Sequence, residues 1–298
     1  MVERQEQNGE EETPESARGV GRRGLLGAMG AGAAGLALGG VSGFAWGRER
    51  AQVPTTSAPK TFPFEGDHQA GITTEAQDRM HFAAFDLIDG ATREDLIELL
   101  EEWTEAARRL VIGGEVSARG AFGGGPNFPP DDTGEAFGLD PAGLTLTFGF
   151  GRSLFVTANG KDRFGLHKHM PKEFIDLPVM TNDFLDPKRS DGDLCIQACA
   201  DDPQVAVHAI RNLTRIGVGK TRIKWSQLGF GRTSSTTRSQ ETPRNLFGQK
   251  DGTANIRAED TAALDEHVWI NSGPAWAHGG SYLVARRINM TIEVWDTL

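Results

Sequence analysis

The stretch Asp193–Phe230, DLCIQACADDPQVAVHAIRNLTRIGVGKTRIKWSQLGF, decides the fold. Asp193–Ala200 reads as a strand. Asp202-Pro203 then opens a helix, with Asp202 as the cap and Pro203 at the first helical position, where its missing N–H costs nothing. Val205, Ala206, Ala209, Ile210 and Leu213 recur at helical spacing and give that helix one apolar face. Arg222–Phe230 reads as the strand that follows. The two cysteines of the chain, Cys195 and Cys199, both fall on the first of these strands. Four strand residues span about 13 Å, whereas a disulfide needs Cα atoms within about 7 Å. The pair is therefore read as two small, separate core side chains.

An earlier segment repeats the pattern. Met80–Ile88 reads as a buried strand and Arg93–Ile112 as a helix, with Thr92 and Asp95 forming a capping-box-like start. Leu96, Ile97, Leu100, Trp103, Ala107 and Leu110 share one face of it, and Gly113-Gly114 ends it. A Gly/Pro-rich loop, Ala118–Asp140, is long for a compact domain and hints at a role of its own. Leu144–Phe150 alternates as a second strand. The order is β-α-β, an insert over about residues 152–190, then β-α-β. That order predicts an α+β, ferredoxin-like unit: a four-stranded antiparallel sheet with helices on one face. Further on, Glu266–Asn271 could be a strand, Ser281–Met290 reads as one, and Thr291–Leu298 reads as the start of a helix. These are the makings of a second such unit, incomplete in this chain.

Residues 1–51 read as an address. Arg22-Arg23 precedes an apolar Gly/Ala-rich run, Leu25–Ala45, which is the pattern of a twin-arginine export signal. The run has few large aliphatic residues, so a retained membrane anchor is the weaker reading, and membrane contact is expected only during export. A Pro/Thr/Ser linker covers 52–66, a first domain 67–243, and a second, truncated segment 244–298. The expected destination is periplasmic, extracellular or the cell envelope. The formal net charge is -10. Residues 1–51 hold six basic and seven acidic side chains, so nearly all of that charge belongs to the rest. A phosphate backbone would be repelled, which excludes nucleic acid as a partner. Composition leaves homo-oligomer formation open.

Chemistry concentrates in Arg244–Ile256, RNLFGQKDGTANI, which contains Gly248-Gln-Lys-Asp251-Gly252. By itself G-x-x-D-G is a weak motif, because Asp-Gly is a common turn pair. Its neighbourhood is more specific. NLFGQKDGTAN, preceded by DLCIQACADDPQVAVHAIRNL and followed by SYLVARRINMTIEVWD, resembles the dye-decolorising peroxidase family, in the twin-arginine-exported branch that includes deferrochelatase/peroxidase proteins. The resemblance covers about residues 66–298. It implies two ferredoxin-like units with haem b between them, Asp251 as the distal catalytic carboxylate, and Gly248, Gly252, Thr253 and Ala254 against the haem. It also implies hydrogen peroxide and small-molecule electron donors, such as dyes or phenols, as substrates. A distal carboxylate suits that reaction, because breaking the O–O bond requires carrying a proton from the inner to the outer oxygen. Glycines beside it let backbone approach a flat macrocycle.

The resemblance further implies a proximal histidine and a distal arginine, both expected beyond Leu298, so no metal ligand is assigned here. None of His68, His81, His167, His169, His208, His267 and His278 matches the ligand position. Arg244, close to Asp251 in sequence, is the remaining candidate for the arginine. Trp225, Trp269, Trp276, Trp295 and Tyr282 could relay electrons from bulky donors, although core packing is the commoner use of such residues. Two rival functions use the same pocket: iron release from haem of the deferrochelatase kind, and haem binding without catalysis.

Overall fold

The computed structural model describes residues 58–231, 236–252 and 254–297. The export-signal reading, and the expectation for Thr253, lie outside them.

Four strands form one sheet: β1 (Arg79–Leu87), β2 (Thr145–Phe150), β3 (Leu194–Ala200) and β4 (Thr221–Phe230), in the order β2-β3-β1-β4. Every neighbouring pair is antiparallel, with Phe82 opposite Gln197 and Phe148 opposite Ile196. Two interleaved β-α-β crossovers give this order, each skipping one strand, and it is the ferredoxin-like arrangement. Helix α1 (Arg93–Leu110) links β1 to β2, and α3 (Pro203–Ile216) links β3 to β4, while a short helix, α2 (Arg152–Phe155), opens the insert.

The caps form as the residue types dictate. Thr92 and Asp95 close a full capping box on α1, and the Asp202 side chain accepts from Gln204 N at 2.7 Å at the start of α3. Strand β3 alternates strictly, burying Leu194, Ile196, Ala198 and Ala200 against the helices. Trp103 of α1 is 1% exposed, and its indole N–H donates to the Leu213 carbonyl on α3 at 2.7 Å. It locks the helices together over Phe85 and Phe148. Each fully buried side chain of this kind contributes roughly 1.5–3 kcal/mol. Cys195 and Cys199 are unpaired, and burial raises both thiols to about 11.

Residues 58–66, read as part of a linker, are docked on this unit. Gly143 N donates to Lys60 O at 2.9 Å, and Phe64 packs edge-on against Phe148. The chain then crosses the sheet face that the helices leave free. The Gln69 side chain satisfies both backbone groups of Phe148 on edge strand β2, at 2.8 and 3.0 Å. Gly71, at φ +98°, lies so close that a Cβ there would come within 2.2 Å of Thr147 Oγ1.

Beyond β4 two expectations fail. Glu266–Asn271 is not a strand: α4 (Thr261–His267) occupies its start, capped by Asp260, which accepts from Ala263 N at 3.2 Å. Ser281–Met290 forms no strand, and Leu283, Val284 and Ile288 are exposed. The physical reason is that alternation fits a residue run to a sheet but does not supply the neighbouring strand that makes it one. A final short helix, α5 (Ile292–Trp295), does form. No second sheet is present among the described residues.

Candidate active site

The Arg244–Gly252 loop is organised by one side chain, Asn245. Its Oδ1 accepts from Phe247 N at 3.0 Å and Gln249 N at 3.1 Å, while Gly248 N turns back onto its carbonyl at 2.9 Å. This is an Asx-type turn, in which a short amide side chain stands in for backbone. The other end of the amide, Nδ2, donates to Asp251 Oδ1 at 3.1 Å. The same residue therefore shapes the loop and fixes the carboxylate. Asp251 N is tied to Pro243 O at 3.2 Å, and Arg244 pairs with Lys250 across the loop.

Gly248 (φ +76°) and Gly252 (φ +68°) both need the left-handed region that glycine adopts without strain. Nothing stands within 4 Å of where a Cβ on Gly248 would be. Asp251 is half-buried and Ala254 exposed. The Arg244 guanidinium donates to Gly248 O at 2.7 Å.

The segment after β4 that carries the loop is held against the first unit from several sides. The buried Gln240 side chain donates to Ala76 O at 3.2 Å. Phe247 packs on Trp295, with ring centroids 5.0 Å apart. Trp269, 8% exposed, stacks on His68 at 3.6 Å, and the His68 ring donates to Gly279 O at 2.7 Å. Trp276 stacks on Phe155, Tyr282 packs on Phe174, and Trp225 lies over Phe82. All five residues considered as electron relays thus have aromatic packing partners.

The histidines have other surroundings. His208 is buried on Asp132, His278 lies 3.2 Å from Gly273 O, and His267 is beside Glu266. His167 and His169 form one 3-10 turn, and burial lowers the pKa of His81. Among the described residues no group of three or more His, Cys, Asp or Glu is gathered to hold a metal ion. What the loop offers fits one face of a flat macrocycle: open space above a glycine, and an anchored carboxylate at its edge. Sequence reasoning singled out Asp251 and its glycines as candidates but not Asn245, whose amide holds the carboxylate. The available signal was an Asn at the head of a Gly-containing turn.

Residues 69–231 match the N-terminal domain of the Dyp-type peroxidases and residues 242–298 match the C-terminal domain. The chain belongs to the Dyp-type peroxidase family. It is 34% identical over 284 residues to the deferrochelatase of Escherichia coli (strain K12), covering 92% of this chain and 64% of that protein. Among solved structures it resembles a DyP-type peroxidase from Streptomyces coelicolor, with TM-score 0.69 and 40% identity over 80% of this chain and 60% of that one. Ferric DtpA from Streptomyces lividans matches with TM-score 0.68 and 39% identity, over the same shares. The chain thus spans a little under two thirds of these relatives, and the ferredoxin-like, α+β expectation is met.

Proposed function

We propose that Asp251 is the proton-transferring group on the distal face of haem b, in a peroxidase that reduces hydrogen peroxide with electrons from dyes, phenols or similar small donors. The observation that carries this is the half-buried carboxylate, anchored by Asn245 and flanked by two glycines at positive φ. Gly248, Gly252, Thr253 and Ala254 would lie against the macrocycle, where side-chain bulk would interfere. When bound, haem supplies the iron that accepts peroxide and the two electrons that small donors later restore.

The chain supplies the proton handling. Asp251 takes a proton from the inner peroxide oxygen and returns it to the outer one as the O–O bond breaks, so that oxygen leaves as water. With two electrons and two protons in all, one peroxide gives two waters. Asn245, by holding Oδ1, sets the direction in which the carboxylate presents itself. The Arg22-Arg23 pattern supports export to the periplasm or cell envelope, and no helix among the described residues is long and apolar enough to cross a membrane.

The test is a haemin titration of the full chain followed by peroxide turnover with a dye. The expected result is a Soret shift in both the wild type and Asp251→Asn, with turnover about 10²–10⁴-fold slower in the variant. Equal turnover contradicts the assignment. The deferrochelatase name of the relatives favours a second reading, iron release from the same haem. Product analysis separates the two: iron-free porphyrin marks iron release, and oxidised donor with intact haem marks the peroxidase.

A further inference from the structure

Tyr282 is the one tyrosine of the chain. Its side of the protein is open: Tyr282 is 42% exposed, and Leu283 and Val284 beside it are exposed as well. Its hydroxyl makes no hydrogen bond among the described residues. The ring packs on Phe174 of the insert, with centroids 5.9 Å apart. Phe174 meets Phe155 at 6.2 Å, and Phe155 stacks on Trp276 at 5.6 Å. Trp276 and Tyr282 are therefore the two ends of one unbroken run of aromatic rings.

The two ends differ in chemistry. Of the four rings, only the indole and the phenol give up an electron readily. The indole N–H of Trp276 is held by the His169 carbonyl at 2.8 Å. The phenol has a free O–H, so it can lose its proton together with the electron. That leaves a neutral radical, with the unpaired electron shared between the oxygen and the ring carbons beside it. Burial first, then the charge of Glu173, raises the pKa of this phenol. It is therefore protonated at neutral pH, with a carboxylate near enough to take the proton as the electron leaves.

We propose that Tyr282 is a self-coupling site: under peroxide, two copies of the chain join through a carbon–carbon bond between their Tyr282 rings. The proposal rests on the peroxidase reading, which supplies the oxidant. One hydrogen peroxide takes one electron and one proton from each of two phenols and leaves as two waters. The two phenoxyl radicals join at ring carbons next to oxygen. The hydrogen on each joined carbon then moves to the oxygen of its ring, which restores two phenols. With one tyrosine per chain, coupling stops at the dimer.

The test treats the haem-loaded full chain with peroxide and no donor. Denaturing electrophoresis, dityrosine fluorescence and mass spectrometry of the digest are the readouts. The expected result is a fluorescent covalent dimer in which the Tyr282 peptide is joined to its own copy with the loss of two hydrogens. Tyr282→Phe keeps a ring on Phe174 and should abolish the dimer. The haem-free chain, oxidised by ruthenium tris-bipyridyl with persulfate and light, gives the same readouts without the peroxidase reading. Coupling by light but not by peroxide keeps the Tyr282 site and refutes the peroxidase reading. A dimer that persists in Tyr282→Phe, a joined peptide that lacks Tyr282, or no dityrosine by either route overturns the proposal.

Discussion

Replacing Asp132 with asparagine removes a charge and almost no volume, and the hydrogen bonds around it set the size of the effect. The carboxylate serves three donors, two at Oδ1 and one at Oδ2. An asparagine has one acceptor oxygen. If that oxygen serves His208 and Gly134, the amide NH₂ faces the Val116 N–H. If it is flipped, two donors lose their acceptor. A hydrogen bond to a charged group is worth about 1.5–3 kcal/mol and an unsatisfied buried donor costs about 1–3 kcal/mol. At 1% exposure there is little solvent to compensate. Asp132→Asn should therefore destabilise the chain by about 3 kcal/mol at neutral pH, a large part of an ordinary domain's stability. The loss also depends on pH. The folded-state pKa of Asp132 is lowered, so its contribution is fully present above the unfolded value of about 3.9. It fades as pH falls through the folded value. Urea unfolding of wild type and variant across pH measures this. The gap should be widest near neutrality and narrow below about pH 4. A gap under about 0.5 kcal/mol at neutral pH, within the range of ordinary surface changes, or one equally wide in acid, refutes the reasoning.

Other consequences are smaller but as direct. Gly248→Ala meets no neighbour, so only its φ of +76° opposes it; a loss of about 1–2 kcal/mol in loop stability, read by amide exchange at Phe247 and Gln249, is expected. Asn245→Asp keeps the acceptor for those two amides but sets a second carboxylate beside Asp251. The loop amides should stay protected while the acid limb of peroxide turnover moves to higher pH by about one unit or more. Cys195 and Cys199, with thiols pushed up to about 11, should react slowly with a disulfide reagent at pH near 8 in the native chain and fast in denaturant.

The first unit was legible because every local signal agreed with the global answer. The Thr92–Asp95 box, the Asp202-Pro203 start and the strict alternation of β3 each specify their element without help from elsewhere. Past β4 that agreement stops. The pattern at Ser281–Met290 has no partner strand among the described residues, so alternation misled. At Glu266 the cap from Asp260 prevailed over a short apolar run of ambiguous period. Asp251 could be singled out as a candidate because its motif is contiguous, Gly248–Gly252, and the stretches 193–213 and 281–296 on either side carry the family resemblance. The Asp132–His208 pair could not, because it joins residues 76 apart, and a polar residue in a long loop gives no hint of being buried.

The central claim is that one carboxylate carries the proton during peroxide cleavage. The most direct measurement is the bimolecular rate of the haem-loaded chain with peroxide before any donor is added, for wild type and Asp251→Asn across a range of pH. The account predicts a rate lower by about 10²–10⁴ in the variant, without the acid limb of the wild-type profile. A variant that reacts as fast as the wild type, with the same pH dependence, contradicts it.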